Sequence, residues 1–225
     1  MFGDNPKRPP LKDDGTSLEI KNIFKTIQGE GPLAGVPAIF IRLGGCNLAC
    51  NFCDTEFEDF TKKSIGQIIA EVNKFSLNSK AERKINLVVI TGGEPFRQSI
   101  ELLCEKLIEQ QYQIQIETNG TLFRPLPNEV LIICSPKVTG KNYSYIREDL
   151  LPKISALKFL IAKNIKEYSH TAEVGQTRYN IPVYVQAMDQ YNAKLNKNNM
   201  ALTVELALEH GYRISCQTHK MMDIE

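Results

Sequence analysis

Apolar residues along the chain fall into two kinds of run. Short runs of four to eight residues recur: "LEIKNIFK" (18–25), "AIFIRLGG" (38–45), "INLVVIT" (85–91), "YQIQIE" (112–117), "VLIIC" (130–134), "ALKFLI" (156–161), "IPVYVQ" (181–186) and "YRISC" (212–216). Their length and alternation predict strands. "INLVVIT" is nearly continuous, as a parallel strand covered on both faces should be. Other runs have helical spacing. "SIGQIIAEVNKF" places Ile65, Ile68, Ile69, Val72 and Phe75 on one face behind Ser64, a predicted N-cap. "SIELLCEKLIEQ" does the same with Ile100, Leu103, Cys104, Leu107 and Ile108, and "MALTVELALEHG" predicts a helix stopped by Gly211.

Strand–helix alternation predicts an α/β fold built on a parallel sheet. Some connections, notably "YQIQIE" to "VLIIC", are short for a crossover helix. An incomplete parallel β/α barrel with abbreviated crossovers is therefore expected. Residues 1–17 are polar and proline-rich and read as a flexible lead-in, with one domain over 18–225.

Polar residues gather where strands end. Thr91-Gly92-Gly93-Glu94-Pro95, Glu117-Thr118-Asn119-Gly120, Ser135-Pro136-Lys137 and Gln186-Ala187-Met188-Asp189 each follow an apolar run. Any one of these is an ordinary turn. Together, in a parallel sheet, they mark one site beyond the carboxyl ends of the strands.

Composition narrows the partners. The 27 basic and 26 acidic side chains leave a formal net charge of +1, so no global charge favours nucleic acid or an anionic membrane. No apolar stretch has the length of a membrane span, and "MFGDNPKRPPLKDDGTS" lacks the apolar core of a secretory signal. A cytoplasmic protein with reduced thiols is expected. Of the six cysteines, Cys104, Cys134 and Cys216 sit in apolar patterns and read as core residues.

Cys46, Cys50 and Cys53 do not. They lie in "LGGCNLACNFCDT" with the spacing C-x3-C-x2-C. Structural zinc sites take four protein ligands, so zinc needs one of His170, His210 or His219 brought in by folding. A thioredoxin-like pair is disfavoured, since no helix pattern follows Cys53 directly. Three thiolates also suit a four-iron cluster whose fourth iron binds something exchangeable.

The spacing, with "TGGEP" downstream, resembles the radical S-adenosylmethionine (SAM) superfamily. That resemblance implies a [4Fe-4S] cluster on Cys46, Cys50 and Cys53. It also implies SAM on the open iron, cleaved reductively to a radical that abstracts hydrogen from substrate. "IFKTIQGEGPLAGVPAIFIRLGGCNLACNFCDTEF", "TGGEP", "IETNG", "SPK", "QAMD" and "ISCQTHK" further resemble the 7-carboxy-7-deazaguanine synthase (QueE) family over residues 20–225. Members contract 6-carboxy-5,6,7,8-tetrahydropterin to 7-carboxy-7-deazaguanine with loss of ammonia, a step toward queuosine.

The family resemblance implies roles residue by residue. Thr55 would ligate Mg2+. Phe52, Asp54, Gly93, Glu94, Ser135, Pro136, Lys137, Gln186, Ala187, Met188 and Asp189 would bind SAM. Ile27, Gln28, Gly29, Glu30, Arg42, Thr91, His219 and the terminal Glu225 would meet the pterin, with Arg42 suited to its carboxylate. "QAMD" carries Ala187 where many relatives have proline. Read alone, Thr55 is a helix N-cap and Arg42 a surface ion pair. A homodimer and a flavodoxin- or ferredoxin-type electron donor are family expectations. Two other readings stay open: an activase that places a glycyl radical on a partner protein, and a non-catalytic zinc-stabilised binding module.

Overall fold

The computed structural model describes residues 5–224. The elements are β1 (Ser17–Ile27), β2 (Pro37–Leu43), β3 (Thr61–Ser64), α1 (Ile65–Ser76), β4 (Leu87–Gly92), α2 (Glu101–Glu109), β5 (Gln113–Thr118), β6 (Leu131–Cys134), β7 (Val138–Thr139), β8 (Asn142–Tyr143), β9 (Ile154–Ile161), α3 (Gln176–Tyr179), β10 (Val183–Ala187), α4 (Ala193–His210), β11 (Arg213–Ser215) and α5 (Thr218–Met221). Every strand the pattern predicts is present. So are the three long helices.

The main sheet has nine strands in the order β11-β10-β9-β6-β5-β4-β2-β1-β3. From β2 to β11 every pairing is parallel. β1 returns antiparallel to β2, and β3 antiparallel to β1. The edge strands β11 and β3 are not paired to each other, so the barrel is open. β5 reaches β6 without a helix, and β6 reaches β9 through the small β7–β8 hairpin. Both are the abbreviated crossovers that the short connections predict.

Side-chain alternation divides the sheet into two faces. Val88, Ile90, Ile114, Ile116, Ile132, Leu157, Phe159 and Val185 join the large core on one face, with Ile68, Val72, Leu103 and Leu107 of α1 and α2. The other face carries smaller apolar clusters, Ala38–Leu87–Val89 and Ile133–Ala156–Tyr184. Along β5 and β9 this second face presents Glu117 and Lys158 instead, because both are one residue out of phase with the core positions Ile116 and Leu157.

Local chemistry matches at α1. Ser64 accepts from the Gln67 amide, and the Gln67 side chain accepts from the Ser64 amide, a complete capping box. Gly211 closes α4 in the left-handed region. α4 begins earlier than its apolar pattern, at Ala193 behind an Asn192 cap. Its first turns pack through polarity: buried Asn199 accepts from Lys163 N and donates to Met188 O. Cys104 and Cys134 are buried, while Cys216 lies just past β11 and is only half-buried.

The N-terminal segment departs from its expected looseness. Arg8 N donates to Cys46 O (2.7 Å), Leu11 N to Arg97 O (2.7 Å), and Asn5 is buried. Arg97 and Arg124 donate to Pro9 O and Leu11 O. A proline-rich segment that cannot pair as a strand is tied down by side chains from the core instead.

Candidate active site

Two adjoining cavities open at the carboxyl rim of the parallel strands. The first, of about 220 Å³, is bordered by Cys46, Cys50 and Cys53. The second, of about 200 Å³, is bordered by Phe24, Phe40, Arg42 and His219. Glu30, Asp54, Thr55, Thr91, Glu117, Lys158 and Gln217 border both and form the shared wall.

The cysteines sit on residues 44–60, which form no helix and no regular strand between β2 and β3. This loop starts where β2 and β4 run side by side. A Cβ on Gly93 would lie 1.8 Å from Gly45 O, and one on Gly92 would lie 2.2 Å from Leu43 O. Only glycine permits that approach. Glu94 N then donates to Gly45 O (3.1 Å). The glycines of "TGGEP" thus seat the first arm of the cysteine loop, and both also border the first cavity.

Burial raises the pKa of all three thiols, Cys46 to about 12. The Cys46 sulfur accepts from Leu48 N (3.4 Å), and Cys53 donates to Thr55 O (3.3 Å). Three thiols facing one cavity are a donor set suited to soft iron–sulfur ligation. Among the described residues no group of three His, Cys, Asp or Glu side chains is gathered for a single ion, and no histidine borders the thiols' cavity.

Residues assigned to SAM by resemblance surround the same cavity: Phe52, Asp54, Gly93, Ser135, Lys137, Gln186, Ala187, Met188 and Asp189. Most are already anchored. Phe52 meets Tyr168 edge-on at 5.0 Å. Lys137 donates to Ser135 Oγ (2.6 Å), and burial lowers its pKa. Gln186 accepts from Ser215 Oγ (2.7 Å), and Ser215 Oγ accepts from Gly31 N (2.9 Å). Asp189 accepts from Lys220, Asn196 and Tyr191 N.

Glu94 and Pro136 are buried and do not border either cavity. The Glu94 carboxylate accepts from Thr118 Oγ1 (2.7 Å), Asn119 N (2.8 Å) and Phe96 N (3.1 Å). Burial outweighs these bonds and lifts its pKa to about 7. Its side chain braces the rim from below.

The second cavity gathers Ile27, Gln28, Glu30, Arg42, Thr91 and His219. Arg42 and Thr91 are register partners on β2 and β4. Arg42 lies over the Phe24 ring at 5.1 Å, and Phe24 stacks on Phe40 at 5.5 Å. Gln28 faces inward, its Oε1 accepting from Glu30 N (3.1 Å). Gly29 does not border the cavity; its carbonyl accepts from Thr218 N (3.1 Å), and a Cβ there would lie 2.0 Å from His219 Nδ1. Burial lowers the His219 pKa, partly opposed by Glu30. Thr55 starts no helix, and its hydroxyl donates to Asp54 (3.3 Å). Glu225 lies outside the described residues.

The shared wall contains a charge cluster that joins Glu30, singled out in the sequence, and Glu117, named there in a strand-end turn, to Lys158 and Gln217, which were not singled out. Lys158 Nζ is ion-paired with Glu30 and, at 2.9 Å, with Glu117. Gln217 donates to the other Glu30 oxygen (2.8 Å). Burial works against ionised Glu30, but the Lys158 charge and the bonds from Lys158 and Gln217 overcome it and hold its pKa at about 2. For Glu117 burial wins, and its pKa is raised despite Lys158. Burial alone lowers a lysine pKa, yet the two carboxylates keep Lys158 well above its ordinary value. The available signal was a lysine inside the apolar run "ALKFLI". Asn119, named in the sequence as part of that strand-end turn, joins the ETNG turn to the loop by donating to Asn47 Oδ1 (3.0 Å).

Residues 40–135 match the model of the Radical SAM superfamily. The chain is 64% identical over 225 residues to the 7-carboxy-7-deazaguanine synthase of Rickettsia prowazekii, covering 100% of this chain and 96% of that protein. The synthase of Rhodospirillum rubrum is 36% identical, with 100% of both chains covered. The crystal structure of QueE from Escherichia coli superposes with a TM-score of 0.69 at 23% identity, over 89% of this chain and 93% of that one, and shows the same fold. A cysteine-bordered cavity at the rim of an open parallel sheet, with end-to-end similarity to these relatives, establishes that the chain belongs to the 7-carboxy-7-deazaguanine synthase family.

Proposed function

We propose that this chain makes 7-carboxy-7-deazaguanine from 6-carboxy-5,6,7,8-tetrahydropterin, by a ring contraction that releases ammonia. The observation that carries the reading is the shared wall. It joins a thiol-bordered cavity to one bordered by aromatic rings and a guanidinium. Cys46, Cys50 and Cys53 would hold a [4Fe-4S] cluster. When bound, the cluster and SAM supply the radical that takes a hydrogen atom from substrate.

The remaining roles fall to the chain. Phe24 and Phe40 offer a flat apolar wall to the pterin ring, and Arg42 a fork for its carboxylate. Ionised Glu30 retains acceptor capacity for the guanidine-like edge. Glu117, with its raised pKa beside protonated Lys158, can hold and pass a proton where ammonia must leave. Thr55 would complete a Mg2+ site with substrate oxygens, since magnesium keeps several non-protein ligands. A homodimer, a flavodoxin- or ferredoxin-type donor and a product destined for queuosine in tRNA complete the reading.

The test is an anaerobic assay of reduced, cluster-loaded protein with SAM, Mg2+ and carboxytetrahydropterin, with product identified by mass. Carboxydeazaguanine and released ammonia are expected. An intact cluster with no turnover of the pterin would sink the proposal and favour the activase. Gel filtration with light scattering tests the dimer.

A further inference from the structure

The loop that carries the three cysteines has two arms. The first, Gly44–Cys46, is seated against the β4 turn through Gly93 and Glu94 N. The second, Cys53–Glu58, forms no strand or helix of its own, and is tied by ion pairs from Lys21 of β1 to Glu56 and from Lys220 of α5 to Asp54 (3.6 Å). One internal backbone bond, Gly45 N to Phe57 O (3.1 Å), links the arms.

The N-terminal segment supplies further links. Lys7 forms an isolated bridge with Cys46 on the first arm. On the second arm, Asn5 Nδ2 donates to Thr55 O (2.9 Å), and Arg8 Nε donates to Glu58 Oε2 (2.8 Å). The Arg8 guanidinium also lies over the Phe60 ring at 5.2 Å. Behind these contacts the segment is anchored to the core, with Ser99 Oγ donating to Asp13 O (3.1 Å) and Arg124 Nη2 to Leu11 O (2.7 Å). Asn5 is itself buried and borders the cysteines' cavity.

We propose that Asn5 is a positioning residue: it ends a strap that staples the arm carrying Cys53 and Thr55 to the arm carrying Cys46, and so sets how firmly the three-cysteine site keeps its iron–sulfur cluster. This rests on the reading that those cysteines hold the cluster. The bond runs from a buried side-chain amide to the main-chain carbonyl between Cys53 and Glu58, so its loss removes the tie nearest Cys53 that the N-terminal segment makes to that arm.

The experiment uses the full chain, reconstituted anaerobically. Asn5→Ala removes the side chain, and Asn5→Asp keeps its size but removes the N–H donor. Iron loss to a chelator is followed by the fading of cluster absorbance. The electron paramagnetic resonance signal of the reduced cluster is recorded with and without SAM. Both variants should lose iron about tenfold faster than the parent, the size of effect one buried hydrogen bond carries. Their SAM-induced spectral change should be altered, while the thermal midpoint of the cluster-free chain falls by no more than the few degrees that one hydrogen bond carries. Ser99→Ala removes one hydrogen bond at Asp13, far from the cysteine arms, and leaves the Asn5–Thr55 bond in place, so it should leave the rate unchanged. Parent-like iron loss in both Asn5 variants overturns the inference, as does equal acceleration by Ser99→Ala. If the parent takes up no iron, the cluster reading falls and the inference with it. If the parent loads and makes product while the variants behave like it, only the inference falls.

Discussion

The two sides of the site are built in opposite ways. The thiol side hangs on a loop, residues 44–60, whose sulfurs make few bonds of their own. The other side stands on strands: Arg42 on β2, Thr91 on β4, Glu117 on β5 and Lys158 on β9. Parallel pairing fixes those positions across the sheet, Arg42 opposite Thr91 and Glu117 opposite Ile133. The strand side is therefore arranged before any ligand arrives, while the loop side depends on its seat at Gly93, its strap at Asn5 and the group it binds. Orientation of a flat, polar substrate demands rigid donors and acceptors. A metal cluster can gather its own ligands, because metal–thiolate bonds supply organising energy.

Breaking the strand side should have the largest effect. Lys158→Met leaves Glu30 and Glu117 facing each other without their shared cation, and removing one partner of a buried ion pair costs about 3–5 kcal/mol. Chemical denaturation of the cluster-free chain should register that loss. Lys158→Met combined with Glu117→Gln should recover part of it. If Lys158→Met alone proves neutral, the strand side is not preorganised by charge.

Next in size is the brace beneath both sides. Glu94 has an ordinary pKa of 4.5 when unfolded and about 7 in place. The folded chain holds this proton to higher pH than the unfolded chain does. The contribution of Glu94 is thus most favourable below pH 4.5 and declines as pH rises toward 7, by up to about 3 kcal/mol. Glu94→Gln should flatten the thermal stability of the cluster-free chain across that window. An unchanged slope would assign the decline to other groups.

The smallest effect should come from the loop's edge. Thr55→Val keeps bulk but removes the hydroxyl. It should raise the Mg2+ concentration for half-maximal turnover about tenfold, in the range typical of weakened metal surroundings. Thr55→Ser should behave like the parent. A half-maximal Mg2+ concentration equal to the parent's would overturn the proposed metal role of Thr55.

Legibility in the sequence follows the same division. C-x3-C-x2-C is a local spacing, so the thiol side could be read from a few adjacent residues. The capping box at Ser64 and the stop at Gly211 were equally local and are present as read. The start of α4 was not, because Asn192 and Asn199 hold it by hydrogen bonds that leave no apolar rhythm. The docking of residues 5–13 was hidden for a related reason. Its partners, Arg97, Ser99, Arg124 and Thr55, are far away in the chain.

Short-range order was therefore written in the sequence itself: which runs become strands, the cap at Ser64 and the stop at Gly211, and which loop carries three thiols. Those features depend on backbone preference, side-chain period and residue spacing, each contained within a few turns of chain. The tertiary structure alone decided that residues 30, 117 and 158 form one charge cluster and that a polar lead-in straps the cysteine loop. Both depend on strand order and register in the folded sheet. Strand order brings β5 and β9 within one strand of each other, and alternation turns Glu117 and Lys158 to the same face.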